Sequence, residues 1–322
     1  MAKISFQDTV KNFLATEYKP QQGELKCLPK GQYNYRGTIY YYDHILPADK
    51  WLLNITPDYR KVIEQIINGN YHALPNQKKI ARHSCFSHLN SSQAMCLNFF
   101  APLIIEKKLD LLQNLLGLDQ NESFITDHSA FEKEGTDKYT GDDLKKLARR
   151  DIKVSANDNK PTNFDFFLET KSEKKFYFEI KFTEDGFAGN KKNASEQKYR
   201  DKYDMIYAPL LCDRQNNIIN LANQHKGEQQ RNEFYGNYQI FRNLLAIKDK
   251  KSYVVFVYPK QNERIRQQAE TAKKFLTESY QSHLILLEWD VLFDSIKRRV
   301  RSGELYEHLK KFGEKYIEAL GR

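Results

Sequence analysis

The chain has 322 residues, with 51 Lys and Arg against 42 Asp and Glu, for a net charge of +9. That length can bury a large core in one domain or two modest ones, and the basic excess favours polyanions through phosphate neutralisation. The cysteines Cys27, Cys85, Cys96 and Cys212 lie apart without paired spacing, which argues against a disulfide framework and for a reducing compartment. Residues 1–8 lack a continuous apolar signal segment, and the longest apolar run, Phe99 to Ile105, is too short to span a bilayer. A cytoplasmic protein with no membrane contact is therefore expected.

In chain order, Gly31 to Tyr42 reads as a tyrosine-dense hairpin. Its rings can stack on bases or pack on the domain body with their hydroxyls outward. Pro57 to Ile67 reads as a helix. Asn90 or Ser91 caps a second helix that runs through Gln93 to Phe99 and, past Pro102, to about Leu116. Phe124 to Glu134 suits a first core strand, and Gly135 to Asp158 a polar loop with a short helix around Asp142 to Arg150. Two aromatic segments follow, Asn163 to Glu169 and Phe176 to Phe182. The polar linker Thr170 to Lys175 joins them as an antiparallel hairpin. Beyond a break at Glu184 to Asn190, Ser195 to Ile206 and Tyr238 to Ala246 read as helices. Ser252 to Tyr258 is a strand buried on both faces by its composition. Leu284 to Glu288 is another strand, and the stretch from Asp290 is helical.

Chemistry concentrates on the central hairpin. Side chains alternate faces along a strand, so Phe176, Phe178, Ile180 and Phe182 share one face while Glu179 and Lys181 share the other. In the preceding strand Phe164, Phe166 and Leu168 are the apolar set and Asp165 points the other way. With both apolar faces on one core, Asp165 and Glu179 meet opposite it, with Lys181 one step along. Two carboxylates suit Mg²⁺, a hard cation that takes one or two protein carboxylates and keeps waters and phosphate as its other ligands. Such an ion polarises a phosphoryl group and lowers the pKa of bound water. An adjacent lysine can orient that water or offset developing negative charge. The alternative is a surface cross-strand salt bridge, which contributes little.

The pattern resembles the PD-(D/E)XK nuclease superfamily, in which an acidic residue on one strand precedes Glu-x-Lys on the next. Asp165, Glu179 and Lys181 match it, and Phe164 stands where that motif has Pro. His88 to Ala94, Thr162 to Asp165, Glu179 to Glu184 and Tyr238 to Asn243 are similar to a bacterial restriction-endonuclease-like branch, over roughly residues 36–258. The resemblance implies an α/β restriction-endonuclease-like core, a mixed central sheet flanked by helices. It divides the chain into an N-terminal aromatic-rich elaboration at 1–80 and a nuclease core with C-terminal helices at 81–322. It implies a metal-dependent DNA endonuclease serving restriction or defence, with Mg²⁺ (Mn²⁺ able to substitute) on Asp165, Glu179 and the Ile180 carbonyl. Lys181 would activate water, Glu132 (with Glu134 as competitor) would complete the site, and Glu184 would support it from outside. Cutting both strands takes two sites, which makes a homodimer an option.

Other features carry less. Gln239, Arg242 and Asn243 form a polar stripe at helical spacing. It can contact nucleic acid, brace the site or be an exposed face. His83, Cys85, His88 and Cys96 have zinc-ligating side chains but no finger spacing, and packing and capping are the expected roles. The competing functions are an RNA or branched-DNA nuclease of the same fold, and a non-catalytic nucleic-acid-binding module on a decayed one.

Overall fold

The computed structural model describes residues 4–149, 159–189, 191–211, 218–220 and 227–321. Cys212 and the C-terminal part of the loop 135–158 lie outside the described residues. The architecture is α/β. A five-stranded mixed sheet has the order β3-β4-β5-β6-β7, and a separate two-stranded sheet pairs β1 with β2.

The small sheet comes first. Helix α1 (Phe6–Phe13), capped by Ser5, leads to β1 (Gly31–Tyr35) and β2 (Thr38–Tyr42). Arg36 and Gly37 both have positive φ, 52° and 87°, the backbone that a two-residue hairpin turn demands. The expected tyrosine hairpin is present, and every residue of β2 is exposed. Helix α2 (Arg60–Ile67) follows, and then α3 (Ser92–Ile105), whose Ser91 side chain accepts from the Ala94 amide.

The expectation that α3 continues to Leu116 is wrong. Lys107 takes a positive φ of 55°, and the Lys107 and Lys108 amides donate back to the Ile104 and Leu103 carbonyls. That is a Schellman stop. Leu109–Leu112 and Asn114–Leu116 are separate 3₁₀ turns. The first core strand is also shorter than expected. β3 spans only Ala130–Glu134, while Phe124 makes an isolated bridge to Thr170.

Helix α4 (Gly141–Ala148) precedes β4 (Asn163–Glu169) and β5 (Lys175–Ile180). These strands pair antiparallel, with Phe166 opposite Phe178 and Leu168 opposite Phe176. Helices α5 (Gln197–Lys202), α6 (Gly227–Gly236) and α7 (Tyr238–Leu244) come before β6 (Ser252–Tyr258), which pairs parallel with β5. Helix α8 (Glu263–Lys274) leads to β7 (Leu284–Glu288), parallel to β6. Helices α9 (Trp289–Lys297) and α10 (Glu304–Phe312) close the described chain.

Each face of the sheet carries its own apolar core. Val255 and Val257 pack with α1, α2, α3, α9 and α10, whereas Val254 and Phe256 pack with α6, α7 and α8. Strand β6 is buried on both faces, which explains its unbroken apolar run. Val10, Phe13, Ile63 and Ile66 from the N-terminal segment share the first core with Phe99, Phe178 and Trp289. Among the described residues, no helix is long and apolar enough to cross a membrane.

Candidate active site

The site forms where the β3-β4-β5 ladder stops being regular. β3 and β4 pair on both sides of Glu132 and Asp165, but that pair itself is absent from the ladder. Glu132 has a φ of 52°, a conformation unusual for a side chain of this size. The alternation of β4 also breaks here. Phe166 stacks on Phe100 of α3 and meets Phe178, as expected for the first core. Phe164 does not join it. Its ring lies 5.0 Å from Tyr177, as does that of Phe167. The expected common face for Phe164, Phe166 and Leu168 is corrected by this flip at Asp165. Irregular backbone of this kind gathers at functional sites because the surrounding structure has to hold it there.

Asp165 accepts a hydrogen bond on Oδ2 from the Ile180 amide at 2.6 Å, which ties β4 to the end of β5. Cys96 of α3 points its thiol at the Asp165 carbonyl, 3.6 Å away. Glu179 and Lys181 are only 4% and 6% exposed. The Lys181 ammonium sits 2.8 Å from Glu179 Oε1. The Lys181 amide donates to the Val257 carbonyl, and Trp289 Nε1 donates to the Lys181 carbonyl at 2.9 Å. The backbone of Lys181 is therefore clamped on both sides, its amide by β6 and its carbonyl by α9.

Gln239 enters from the other side of the sheet. Its Nε2 donates to Glu179 Oε1 at 2.6 Å, while its Oε1 accepts from Lys181 Nζ at 3.2 Å and from the Ala188 amide at 3.0 Å. One amide thus fixes the acid and the base together. The 187–189 loop lies close enough to do this because Gly189 lacks a side chain. A Cβ there would sit 2.1 Å from the Gly236 carbonyl oxygen.

Glu132 is held by Gln93 Nε2 at 2.6 Å and Asn163 Nδ2 at 2.8 Å, with His83 Nε2 at 3.8 Å. Glu134 points away, toward Lys78. Glu184 turns back to accept from the Phe182 amide at 2.6 Å. Its charge also reaches Lys181.

The electrostatics are lopsided. Burial, then Glu179 and Glu132, push the Asp165 carboxyl well above its ordinary range. Burial also raises Glu132, against the hydrogen bonds from Gln93 and Asn163. Burial disfavours the charge on Lys181, but Glu179 and Glu184 outweigh it and hold the ammonium above its usual range. Burial raises the Cys96 thiol, and Asp165, Glu132 and Glu179 raise it further. Three carboxylates therefore crowd one ammonium.

This donor set fits a hard divalent cation. Asp165 Oδ1 and Glu179 Oε2 accept no hydrogen bond from the described residues, so each acid keeps one oxygen available. Among the described residues, no three His, Cys, Asp or Glu side chains are close enough to hold a metal alone. Mg²⁺ does not need three.

The polar stripe on α7 divides. Gln239 reaches the site. Arg242 pairs with Asp137 at 2.6 Å and donates to the Lys160 carbonyl. Asn243 is fully buried. The three do not present a common surface. The candidate zinc residues disperse as well. His83 lies beside Glu132, His88 packs on Tyr33, Cys85 is exposed, and Cys96 is buried under Asp165. Gln93 and Asn163 fall within His88 to Ala94 and Thr162 to Asp165, two stretches that carry the resemblance, but no role was assigned to either, and Trp289 was not singled out.

Comparison with known families places this geometry. The family described as Restriction Endonuclease associating with ARP matches residues 12–317, nearly the whole chain. The chain belongs to that family. No curated protein and no solved structure matches it. The matched span includes the second core, the first core apart from Val10, Ala319 and Leu320, the β1-β2 hairpin and every residue of the site.

Proposed function

We propose that this family member is a metal-dependent DNA endonuclease with a PD-(D/E)XK core, acting in restriction of foreign DNA. The convergence of Asp165, Glu179 and Lys181 at the broken end of β4-β5 is the observation that carries the reading. Membership in a restriction-endonuclease family supports it independently.

Asp165, Glu179 and the Ile180 carbonyl would hold Mg²⁺, or Mn²⁺ in its place. When bound, such a cation polarises the phosphoryl group and lowers the pKa of water. Lys181 orients the attacking water and offsets charge that develops on phosphorus. Gln239 holds Glu179 and Lys181 in register. Glu132 completes the acidic cluster, and Glu184 adds to the field on Lys181. Water attacks phosphorus in line and the 3′ oxygen leaves, so the product carries a 5′ phosphate. A homodimer would supply the second site for a double-strand cut. The family description also names ARP, and association with such a partner belongs to this proposal.

The test is cleavage of plasmid and genomic DNA with Mg²⁺, Mn²⁺ or EDTA, comparing wild type with Asp165→Ala and Lys181→Ala. Discrete fragments that need metal and vanish in both variants support a site-specific endonuclease. Cleavage that survives both substitutions, or proceeds in EDTA, removes this site as the catalytic centre.

A further inference from the structure

The most exposed aromatic surface lies outside this site, on the β1-β2 hairpin. Tyr33 and Tyr40 are cross-strand partners, and Gly31 faces Tyr42. By strand alternation Tyr33, Tyr35, Tyr40 and Tyr42 share one face of the ribbon. Tyr33 and Tyr35 stack with centroids 6.4 Å apart and planes 20° apart. Tyr40 and Tyr42 repeat this at 6.3 Å and 23°. Tyr35, Tyr40 and Tyr42 are 49%, 43% and 40% exposed. Among the described residues, Tyr35 and Tyr40 make no ring contact with the domain body, whereas Tyr33 and Tyr42 rest on His88 and His44.

The net charge on the ribbon is positive. From Lys30 to Asp43 it holds Lys30, Arg36 and one carboxylate, Asp43, which pairs with Lys30 at 3.0 Å, while Arg36 pairs with no acid among the described residues. Arg36, at the tip, lies 5.2 Å over the Tyr35 ring. Its only polar side chains besides the tyrosine hydroxyls are Gln32, Asn34 and Thr38.

The footing of the ribbon is the segment that also reaches the site. Leu46 and Leu89 donate to Ser87 and His44, and Tyr33 and Tyr42 lean on His88 and His44. Directly after this footing, Asn90 donates to Thr183, two residues beyond Lys181, and Gln93 binds Glu132. A ligand on the ribbon is thus tied to the site through one short stretch, 87–93.

We propose that the tyrosine face of the β1-β2 hairpin is a base-stacking platform for an unpaired segment of the nucleic acid beside the scissile bond. The proposal rests on the nuclease reading above for its ligand. Exposed, stacked rings with the unpaired guanidinium of Arg36 at their tip suit bases with an anionic backbone, because every base has a π-face and every phosphate a charge.

The test is fluorescence anisotropy in EDTA with a labelled single-stranded oligonucleotide containing 2-aminopurine. Wild type is compared with the triple change Tyr35→Leu, Tyr40→Leu and Tyr42→Leu, and with the same three changed to Phe. The Leu variant is expected to bind about tenfold more weakly or worse, with its melting midpoint kept, while the Phe variant binds like wild type. Wild type should quench the 2-aminopurine. Equal binding by the Leu variant overturns the platform. So does a wild-type dimer that the Leu changes dissociate without altering oligonucleotide affinity, which would make the face an interface between copies. The two readings separate cleanly. If wild type cuts DNA and the Leu variant binds and cuts equally, the platform falls and the nuclease stands. If wild type binds through the tyrosines yet cuts nothing, the platform stands and the nuclease falls.

Discussion

Two buried polar clusters lie among the helices and strands of the first core, and they handle charge in opposite ways. One surrounds Lys315, just after α10. Its ammonium donates to the Asn54 backbone and side-chain oxygens at 2.7 and 2.5 Å. Asn98 binds Asn54 and Tyr316 through its nitrogen and Thr56 through its oxygen. His308 bridges Thr56 and the Asn98 carbonyl. Burial, then Arg60, lowers Lys315 well below its ordinary range. The other cluster is the candidate site, where Asp165 and Glu132 are raised and three acids face Lys181. In the first, neutral dipoles and the Tyr18 and Tyr316 rings answer the buried group. In the second, acids outnumber the one ammonium, and burial and mutual repulsion press Asp165 and Glu132 toward their neutral forms while hydrogen bonds keep the group together. A surplus of acids that the fold keeps together in this way has a use for something from solution.

The comparison breaks most decisively at the acids. Asp165→Asn and Glu179→Gln should each cut DNA cleavage by about 10³-fold, while thermal melts in EDTA show little loss for Asp165→Asn and a lowered midpoint for Glu179→Gln, which takes the charged partner from buried Lys181. Mg²⁺ should raise the melting midpoint of wild type and leave both variants unmoved, as expected when a ligand binds only the folded site. A variant that melts much earlier yet still cuts would assign the acids to the fold.

Gln239→Ala sharpens the same side. It removes the contact joining Glu179 to Lys181 and should lower activity or metal affinity by about 10–100-fold. Gln239→Glu should not restore it, because a carboxylate cannot donate to Glu179. A kinetic and metal titration of both variants checks this.

Lys315→Met tests the opposite cluster. It leaves Asn54 Oδ1 without its donor, while the Asn54 carbonyl keeps Asn98 Nδ2, and should cost about 1–3 kcal/mol in a urea melt. Cleavage per folded molecule should not change. A selective loss of turnover would mean that the two clusters are not separate in role.

The smallest effect concerns Asp58 at the rim of the Lys315 cluster. His308 and Lys311, the latter in direct contact, hold its carboxyl down to about 2 from an ordinary 3.8. A depressed acid stabilises the fold above its unfolded pKa and loses that contribution as pH falls through the folded value. Asp58→Asn should therefore be less stable than wild type near neutral pH. The gap should close as pH falls from about 4 to about 2. A gap that persists in acid would trace to packing instead.

Much of this was legible in the chain itself. Local rules sufficed for the β4-β5 hairpin, a helix cap at Asn90 or Ser91, the tyrosine hairpin over Gly31 to Tyr42 and the buried β6. Each depends on neighbours within a few residues. The failures occurred where distant segments intervene. β4 alternation was expected to run through Phe164, but Tyr177 draws that ring to the other face. The stripe on α7 was one feature by spacing, and packing divides it into a site residue, an ion pair and a buried amide.

Strand periodicity by itself determined that Glu179 and Lys181 share a face, whereas the alternation that was to place Asp165 breaks at that residue. Two-residue alternation is a property of the extended backbone and needs no partner. Only the tertiary structure decided that this face is closed rather than solvated. Gln239 from α7, Trp289 from α9 and Gln93 from α3 arrive from far along the chain, fix the polar groups in place and leave Glu179 and Lys181 buried with Asp165 and Glu132 half-buried beside them. Burial turns an ordinary surface charge pattern into a site with a raised Asp165, because the cost of an unpaired charge depends on what surrounds it and not on its place in the sequence.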